Sequence, residues 1–496
     1  MLKKIILSLL ILSMLVAAFT GCNFGKDKGE QGSEKETTSK EASASTTDTT
    51  ERGSDDDTID EYDFDGDTFT ILTREDTKYE FYSSAGLGGT VLDRAIYKRN
   101  YNVANRFNAN LEIVTRPGGW GERDQFLSVV RAEAMGGDGG YDLVSTHSVY
   151  LGWMTVEGLA YDMATLPEMD FSKAWWNQNL YDEVNINGHV YFMLGDICTT
   201  TYEYMQVVFF NENMFDDYFD ESVDVIYDMI QSGEWTWAEC MTYAKAIGNN
   251  GDEVQKYGMA TNIHSWHASF VSQEAYLYQR DANNELYLPN APSEKLITVV
   301  EQMIDFYSND NIMYHHDWSP GYDVLDPMFS GGQVLFYPQT LGEASKIAAS
   351  MSADAYGVIP LPKYDTFQEK YYTICRDTVS AVMVMTTTDV PEMCGVLTEA
   401  LCMEGYNTVT PEYYEIVLKT RYFSEAKYAE ILNIIRDGLT IIPVSNYVED
   451  APSFNMFHLL IIDGKKDVVS TYGGELASAQ NKLSSFYAKL KKANLY

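Results

Sequence analysis

The sequence has few basic residues for its length. Its 496 residues include 35 Lys and Arg against 73 Asp and Glu, which gives a formal charge of −38 at pH 7. Nucleic acid is therefore excluded as a partner, because binding a phosphate backbone requires a basic surface. The acidic excess favours solubility at a charged cell surface instead.

Cysteines and catalytic motifs are also scarce. An odd number of cysteines without close spacing predicts neither a disulfide framework nor a zinc site, so we expect buried, small apolar side chains. Beyond Cys22 they are Cys198, Cys240, Cys375, Cys394 and Cys402. The chain contains no G-x-S-x-G elbow, no H-E-x-x-H pair and no Walker loop. We therefore expect a protein that is not an enzyme.

No metal or other cofactor is expected. The acidic run at residues 63–67 lacks the twelve-residue spacing of an EF-hand and is more typical of a turn into a strand. The His-His-Asp run at residues 315–317 lacks the partner motif of a zinc site, and a solvated loop is the favoured interpretation.

One apolar run is present, at the N-terminus. Two lysines precede residues 5–19, and the small residues Thr20 and Gly21 follow, which is the order of an export signal. The run is shorter than the roughly 20 residues of a transmembrane span. Phe19 to Cys22 resembles a bacterial lipobox, in which the cysteine thiol receives a diacylglyceryl group and becomes the new N-terminus. The alternative is cleavage elsewhere, which would release a free secreted protein.

A polar segment separates this signal from the body of the chain. We predict a signal peptide at residues 1–21, lipidation at Cys22 and a flexible tether at residues 22–61, since the tether has too few apolar residues to offset its ordering entropy. The roughly 435 residues that remain exceed what one hydrophobic core supports, so two lobes are expected. No second long apolar run occurs, so the body is not expected to span the membrane.

Alternating strands and helices open the body. Residues 68–72, 111–114 and 141–145 have strand composition, and apolar residues recur between them at helical spacing. This order predicts a parallel sheet with right-handed crossovers, in which ligands bind beyond the carboxyl ends of the strands. Further strands are predicted at residues 333–337 and 356–359. The apolar run at residues 380–385 is typical of a strand buried in a parallel sheet.

Several short motifs carry a family resemblance. They are Asn-Gly-His-Val-Tyr at 187–191, Phe-Phe-Asn-Glu at 209–212, Gly-Glu-Trp-Thr-Trp-Ala-Glu at 233–239, and Tyr-Gly-Val-Ile-Pro-Leu-Pro-Lys at 356–363. Their order, with a lipobox ahead of them, resembles the extracellular solute-binding lipoproteins of ABC importers, of the carbohydrate-type group. The last fifty residues resemble this family only in ending with a helical region.

The resemblance implies an α/β fold of the periplasmic-binding-protein type II class, with a ligand cleft between two lobes and hinge crossovers. Mapped onto this chain, lobe one is residues 64–196 plus 371–439, and lobe two is residues 204–364 plus 440–496. The crossovers fall near residues 197–202 and 363–373. Closure of the hinge around a solute is a known switching mode.

A neutral sugar is held by aromatic faces and by planar polar side chains that share hydrogen bonds with its hydroxyls. From the strand ends we select Arg74 and His147, and after the second crossover Arg376. From lobe two we select Trp266, Trp318 and Tyr337. For each aromatic residue the alternative is plain core packing.

The function implied is capture of a mono- or oligosaccharide at the outer face of the cytoplasmic membrane and delivery to ABC importer permease subunits. The protein would be a monomer whose only membrane contact is its lipid. A surface sugar sensor or adhesin with the same fold stays open, because fold does not fix function. A secreted glycoside hydrolase is the least favoured alternative, since two carboxylates leave no motif.

Overall fold

A computed structural model describes residues 57–492, except 138, 249–253, 283, 310–312, 317–323, 415–425 and 450. The predicted signal peptide, Cys22 and most of the predicted tether lie outside the described residues. Within them, no helix combines the length and the apolar character that crossing a membrane requires.

The strands of this part of the chain are, in order, β1 (Thr68–Arg74), β2 (Asn110–Arg116), β3 (Leu143–His147), β4 (Gln206–Asn211), β5 (Tyr257–Asn262), β6 (Gln279–Arg280), β7 (Leu286–Tyr287), β8 (Met313–His316), β9 (Val334–Thr340), β10 (Tyr356–Ile359), β11 (Thr373–Ile374), β12 (Ser380–Val384) and β13 (Leu439–Thr440).

The α-helices are α1 (Val91–Arg106), α2 (Arg123–Gly136), α3 (Ser148–Val156), α4 (Gln178–Val184), α5 (Thr200–Glu203), α6 (Glu212–Tyr218), α7 (Asp224–Ser232), α8 (Trp237–Gly248), α9 (Ile263–Ser272), α10 (Glu294–Tyr307), α11 (Leu325–Ser330), α12 (Ala344–Ile347), α13 (Pro391–Glu404), α14 (Ala426–Asp437), α15 (Pro443–Tyr447), α16 (His458–Asp463) and α17 (Val468–Lys492).

Sheet one has the strand order β12-β3-β1-β2. β1 pairs in parallel with both β2 and β3, as the alternation of strand and helix predicts. β12 is buried along its whole length, as expected, but it pairs antiparallel to β3, so the expectation of a purely parallel sheet was wrong at this strand. An apolar run indicates that both faces of a strand are buried, but it does not indicate the direction of the strand. The direction depends here on β3, which lies more than 200 residues before β12 in the chain.

Local signals set the ends of the first two helices. Thr90 and Asp93 form a capping box at the start of α1, in which the Thr90 side chain accepts from the Asp93 amide and the Asp93 carboxylate accepts from the Thr90 amide. α2 ends at Gly137, whose φ of +67° is the left-handed conformation that favours glycine. These ends place β2 and β3 against β1, and Phe69, Ile71, Phe126 and Val144 are fully buried between sheet and helices.

Sheet two has the strand order β10-β4-β9-β5-β8. β4 pairs antiparallel to β9 and β10, whereas β5 pairs in parallel with β8 and β9. The predicted strands at residues 333–337 and 356–359 are confirmed as β9 and β10. Phe209, Phe336 and Tyr356 are completely buried in the core beside this sheet.

The chain passes from sheet one to sheet two between β3 and β4 and returns between β10 and β12. Where these two segments meet, Met205 forms a bridge with Cys375, and the Arg376 amide donates to the Tyr204 carbonyl at 3.2 Å. The α15 helix packs against α3, where a Cβ at Gly152 would lie 2.0 Å from the Asn446 carbonyl oxygen. The segment that follows β13 therefore contacts the helix that follows β3.

Candidate functional site

The candidate site lies at the edge of sheet one where β1, β2 and β3 end. Arg74 is the last residue of β1, His147 is the last residue of β3, and Trp120 opens a 3-10 turn (Trp120–Glu122) shortly after β2. Because β12 runs antiparallel to β3, Ser380 at its start pairs with His147, and the preceding Thr378 reaches the same edge. The orientation of β12 thus adds a fourth chain segment to the site.

Arg74 and His147 are in direct contact. Both side chains are buried, with relative exposures of 0% and 4%, and Nη1 of Arg74 contacts Nδ1 of His147. The Arg74 stem packs against the backbone after β2, where a Cβ on Gly118 would lie 2.8 Å from Arg74 Cγ. Only a glycine allows this approach, so the loop after β2 closes over Arg74.

The imidazole of His147 is neutral. Burial, followed by the positive charge of Arg74, lowers the pKa of His147 to about 3. Nδ1 is the ring nitrogen that faces the Arg74 guanidinium. The Thr378 carbonyl oxygen lies 2.5 Å from the same nitrogen.

Several buried polar atoms at this edge have no hydrogen-bond partner among the described residues. They include Nη2 of Arg74 and Nε2 of His147, together with the hydroxyls of Thr73 and Thr146. Arg74 Nε lies 3.2 Å from the carboxylate of Asp76, whose side chain is 52% exposed. A buried polar atom without a partner costs free energy, so the adjacent Arg74 and His147 mark a place where a ligand hydroxyl would be stabilising.

An aromatic group borders these polar atoms. The Trp120 ring stacks on Tyr150 with a centroid distance of 6.0 Å, and Tyr150 meets His147 edge-on at 4.8 Å. Tyr150 is fully buried, while Trp120 is 56% exposed. An indole that is held on one face and exposed on the other can stack on the C–H surface of a sugar ring.

A second polar cluster lies beside the crossover. Tyr79 donates to Glu203 at 2.6 Å, and burial raises the pKa of Glu203 to about 7. Tyr204 follows directly, and burial raises the pKa of its phenol. This cluster belongs to the segment that leads into β4.

The structure brings together some of the residues predicted from sequence and separates others. Arg74 and His147 touch, and Arg376 lies two residues before Thr378. Tyr337 lies elsewhere: it is fully buried in β9, where its hydroxyl donates to Asp326 at 2.7 Å and accepts from Gln339. Trp266 lies on α9, with its side chain outside the described residues, and Trp318 lies wholly outside them. The roles of all six stay predictions.

Trp120 and Tyr150 were missed by the sequence analysis. The Pro-Gly-Gly-Trp run at residues 117–120 directly follows the end of β2, so the rule that ligands bind beyond strand ends would have selected Trp120. Tyr150 lies on an α3 helix that is apolar on most sides, and no pattern in the sequence distinguishes it from its neighbours.

Comparisons with known proteins agree with this architecture. Residues 93–392 match the family model of bacterial extracellular solute-binding proteins. No curated protein sequence matches the chain. Similar solved structures include an extracellular solute-binding protein from Staphylococcus aureus in complex with maltose (12% identity, TM-score 0.56, covering 86% of this chain and 98% of that one).

Two further solved structures show the same likeness. They are the sugar-binding protein MalE from Xanthomonas citri (11% identity, TM-score 0.56) and a cyclo/maltodextrin-binding protein complexed with maltotetraose (14% identity, TM-score 0.51). Each is aligned over 86% of this chain and 98% of its own. At this identity the likeness shows the fold, and it confirms the predicted two-lobe periplasmic-binding-protein-like architecture. The predicted lobe boundaries are not tested by it.

Proposed function

The chain belongs to the bacterial extracellular solute-binding protein family, and from this premise we propose that it captures a carbohydrate outside the cell and delivers it to an ABC importer. The family and the structural relatives are binding proteins and not enzymes, in agreement with the sequence analysis. Three of the similar solved structures are a maltose complex, a sugar-binding protein and a maltotetraose complex, and this supports a carbohydrate as the solute here.

One observation carries the proposal: an exposed indole stands beside buried polar atoms that lack partners. Trp120 offers its face, Arg74 offers an N–H group, and His147 offers a ring nitrogen at the same sheet edge. A carbohydrate needs both kinds of contact, since its C–H faces are apolar and its rim carries hydroxyls.

The remaining parts of the proposal concern the lobes and the anchor. Lobe one is residues 64–196 plus 371–439 and lobe two is residues 204–364 plus 440–496, and they close around the sugar at hinge segments near 197–202 and 363–373. The protein is held at the outer face of the cytoplasmic membrane by lipid on Cys22, and residues 22–61 give it reach. The lipobox-like sequence and the polar composition of the tether support this part.

A thermal-shift screen over mono- and oligosaccharides tests the binding function. A sugar present at 100 times its Kd should stabilise the protein by about 2.7 kcal/mol, which is measurable as a rise in Tm. The Trp120→Ala variant should show a smaller rise at the same sugar concentration, and Phe367→Ala, which removes a 90% exposed ring from another loop, should keep the full rise. Failure of every sugar to stabilise the wild-type chain would contradict the proposal.

Deletion of the gene tests delivery. Cells without the protein should take up the sugar identified by the screen more slowly, and expression of the wild-type chain should restore uptake. Unchanged uptake together with a lost transcriptional response to that sugar would assign the protein to sensing instead.

A further inference from the structure

Arginine side chains gather at the candidate site of a chain whose overall charge is −38. Arg74 is buried at the end of β1, and the Arg123 guanidinium lies 5.5 Å from the ring centroid of Trp153. Arg376 precedes β12, and after burial and Arg74 its charge further lowers the pKa of His147. Burial raises the pKa of Tyr150, whereas Arg74 and Arg123 both lower it, so three guanidinium groups lie near the candidate site.

Carboxylates of the protein neutralise these groups only in part. Glu80 interacts electrostatically with Arg74, and Asp377 with Arg376, but burial raises the pKa of both carboxyl groups. Arg74 meets Asp76 through Nε alone, and Nη2 has no partner within the described part of the chain. Arg123 is paired at 2.8 Å with Asp124, whose side chain is 84% exposed. No ion pair within 4.0 Å joins Arg376 to a carboxylate of the described residues, and only its backbone forms hydrogen bonds there.

The positive charge of such a site is only partly balanced, because burial disfavours the ionised forms of Glu80 and Asp377. Neutral sugars present hydroxyls that both donate and accept, but they add no charge that would balance the guanidinium groups. A carboxylate or sulfate accepts several N–H bonds at once, and guanidinium groups bind such anions in a two-pronged geometry.

Building on the proposed function, we infer that the carbohydrate is acidic. Its anionic group, a carboxylate or a sulfate, binds between Arg74 and Arg376, while a sugar ring stacks on Trp120. The first amides of α3 do not take part, because those of Ser148 and Val149 already donate to the carbonyls of Val379 and Asp377.

Titration calorimetry with matched sugars tests this inference. The probes are trigalacturonate, its fully methyl-esterified form, a sulfated heparin disaccharide, and the neutral trisaccharides maltotriose, cellotriose and galactotriose. We expect trigalacturonate or the sulfated disaccharide to bind at least tenfold more tightly than every neutral probe, and the one that does identifies the anion as carboxylate or sulfate. If trigalacturonate binds, esterification should weaken its binding at least tenfold.

Two variants connect the effect to the site. Arg376→Gln should reduce the preference for the acidic over the neutral probe at least fivefold, whereas Arg131→Gln, which removes an exposed guanidinium bonded to Glu157 on α2, should leave it unchanged. Arg74→Gln should abolish acidic binding, and circular dichroism would show whether this buried variant folds. If the Arg74→Gln variant does not fold, the result for Arg376→Gln decides whether the anionic group binds at this site.

The remaining outcomes separate this inference from the proposed function. A neutral probe that binds as tightly as the acidic ones would overturn the acidic inference and leave carbohydrate binding in place. If neither acidic nor neutral probes bind, both fail. An acidic preference that Arg376→Gln and Arg131→Gln leave equally intact would overturn the assignment of the anion to this site.

Discussion

Replacing Trp120 with alanine should weaken sugar binding and hardly change stability. The ring is 56% exposed and its protein contacts are the stacking with Tyr150 and an edge contact with His147. An aromatic pair contributes about 0.5–1.5 kcal/mol, so the free energy of unfolding should fall by no more than about 1.5 kcal/mol. Covering the open face with a sugar is worth about 1–3 kcal/mol, so Kd should rise about 5- to 150-fold.

A buried tryptophan provides the contrast. Trp176 is 1% exposed, and its Nε1 donates to Glu399 at 2.9 Å. Trp176→Ala leaves a cavity and an unpaired acceptor, so it should cost about 3–5 kcal/mol of stability and leave the affinity of the folded fraction unchanged.

Two assays on the same preparations distinguish these effects: urea unfolding for stability and titration calorimetry for affinity. If Trp120→Ala lowers the free energy of unfolding by more than 3 kcal/mol while Kd stays at the wild-type value, Trp120 is a packing residue and the site has been placed wrongly. Equal losses of affinity in Trp120→Ala and in the remote Phe367→Ala would refute the reasoning in the same way.

Three other predictions concern the anchor, the hinge and a buried acid. Cys22→Ala should move the protein from the membrane fraction to the medium almost completely, because acyl chains contribute about 0.8 kcal/mol per buried CH₂, and an unchanged membrane fraction would exclude lipidation. Small-angle scattering should show a smaller radius of gyration once a binding sugar is present, and unchanged dimensions would indicate a binder that does not close. Burial raises the pKa of Glu399 to about 7, although the hydrogen bonds that the indoles of Trp176 and Trp175 donate to it lower the pKa. Because this folded-state pKa exceeds the unfolded value, Glu399 should make wild-type stability fall by about 3 kcal/mol as pH rises from about 4.5 to 7. Glu399→Gln should remove this part of the fall, as measured by urea unfolding at several pH values, whereas Glu112→Gln on the exposed face of β2 should keep it. Equal slopes in wild type and Glu399→Gln would contradict the assignment.

Local patterns in the sequence predicted three of the four strands of sheet one well. β1, β2 and β3 lie within two residues of their expected positions, because strand composition and helical spacing are both recorded in neighbouring residues. The direction of β12 could not be predicted in this way, since it depends on a partner strand that is distant in the chain.

The site was predictable where it lies on regular elements. Arg74 and His147 follow from the rule about strand ends, and the contact between them confirms that these ends meet. Tyr337 lies apart from this edge: β9 is buried along its whole length, the Tyr337 hydroxyl donates to Asp326, and the ligand role of Tyr337 stays a prediction. Trp120 lies in a loop, where no periodicity indicates which side chain faces outward.

Titration calorimetry of the purified wild-type chain with oligosaccharides tests the central claim most directly. A binding protein should show saturable heat with one sugar per chain, and the signal should return to baseline after each injection. Absence of saturable binding by any oligosaccharide would contradict the account, and so would sustained heat release accompanied by new reducing ends, which would indicate turnover of the sugar.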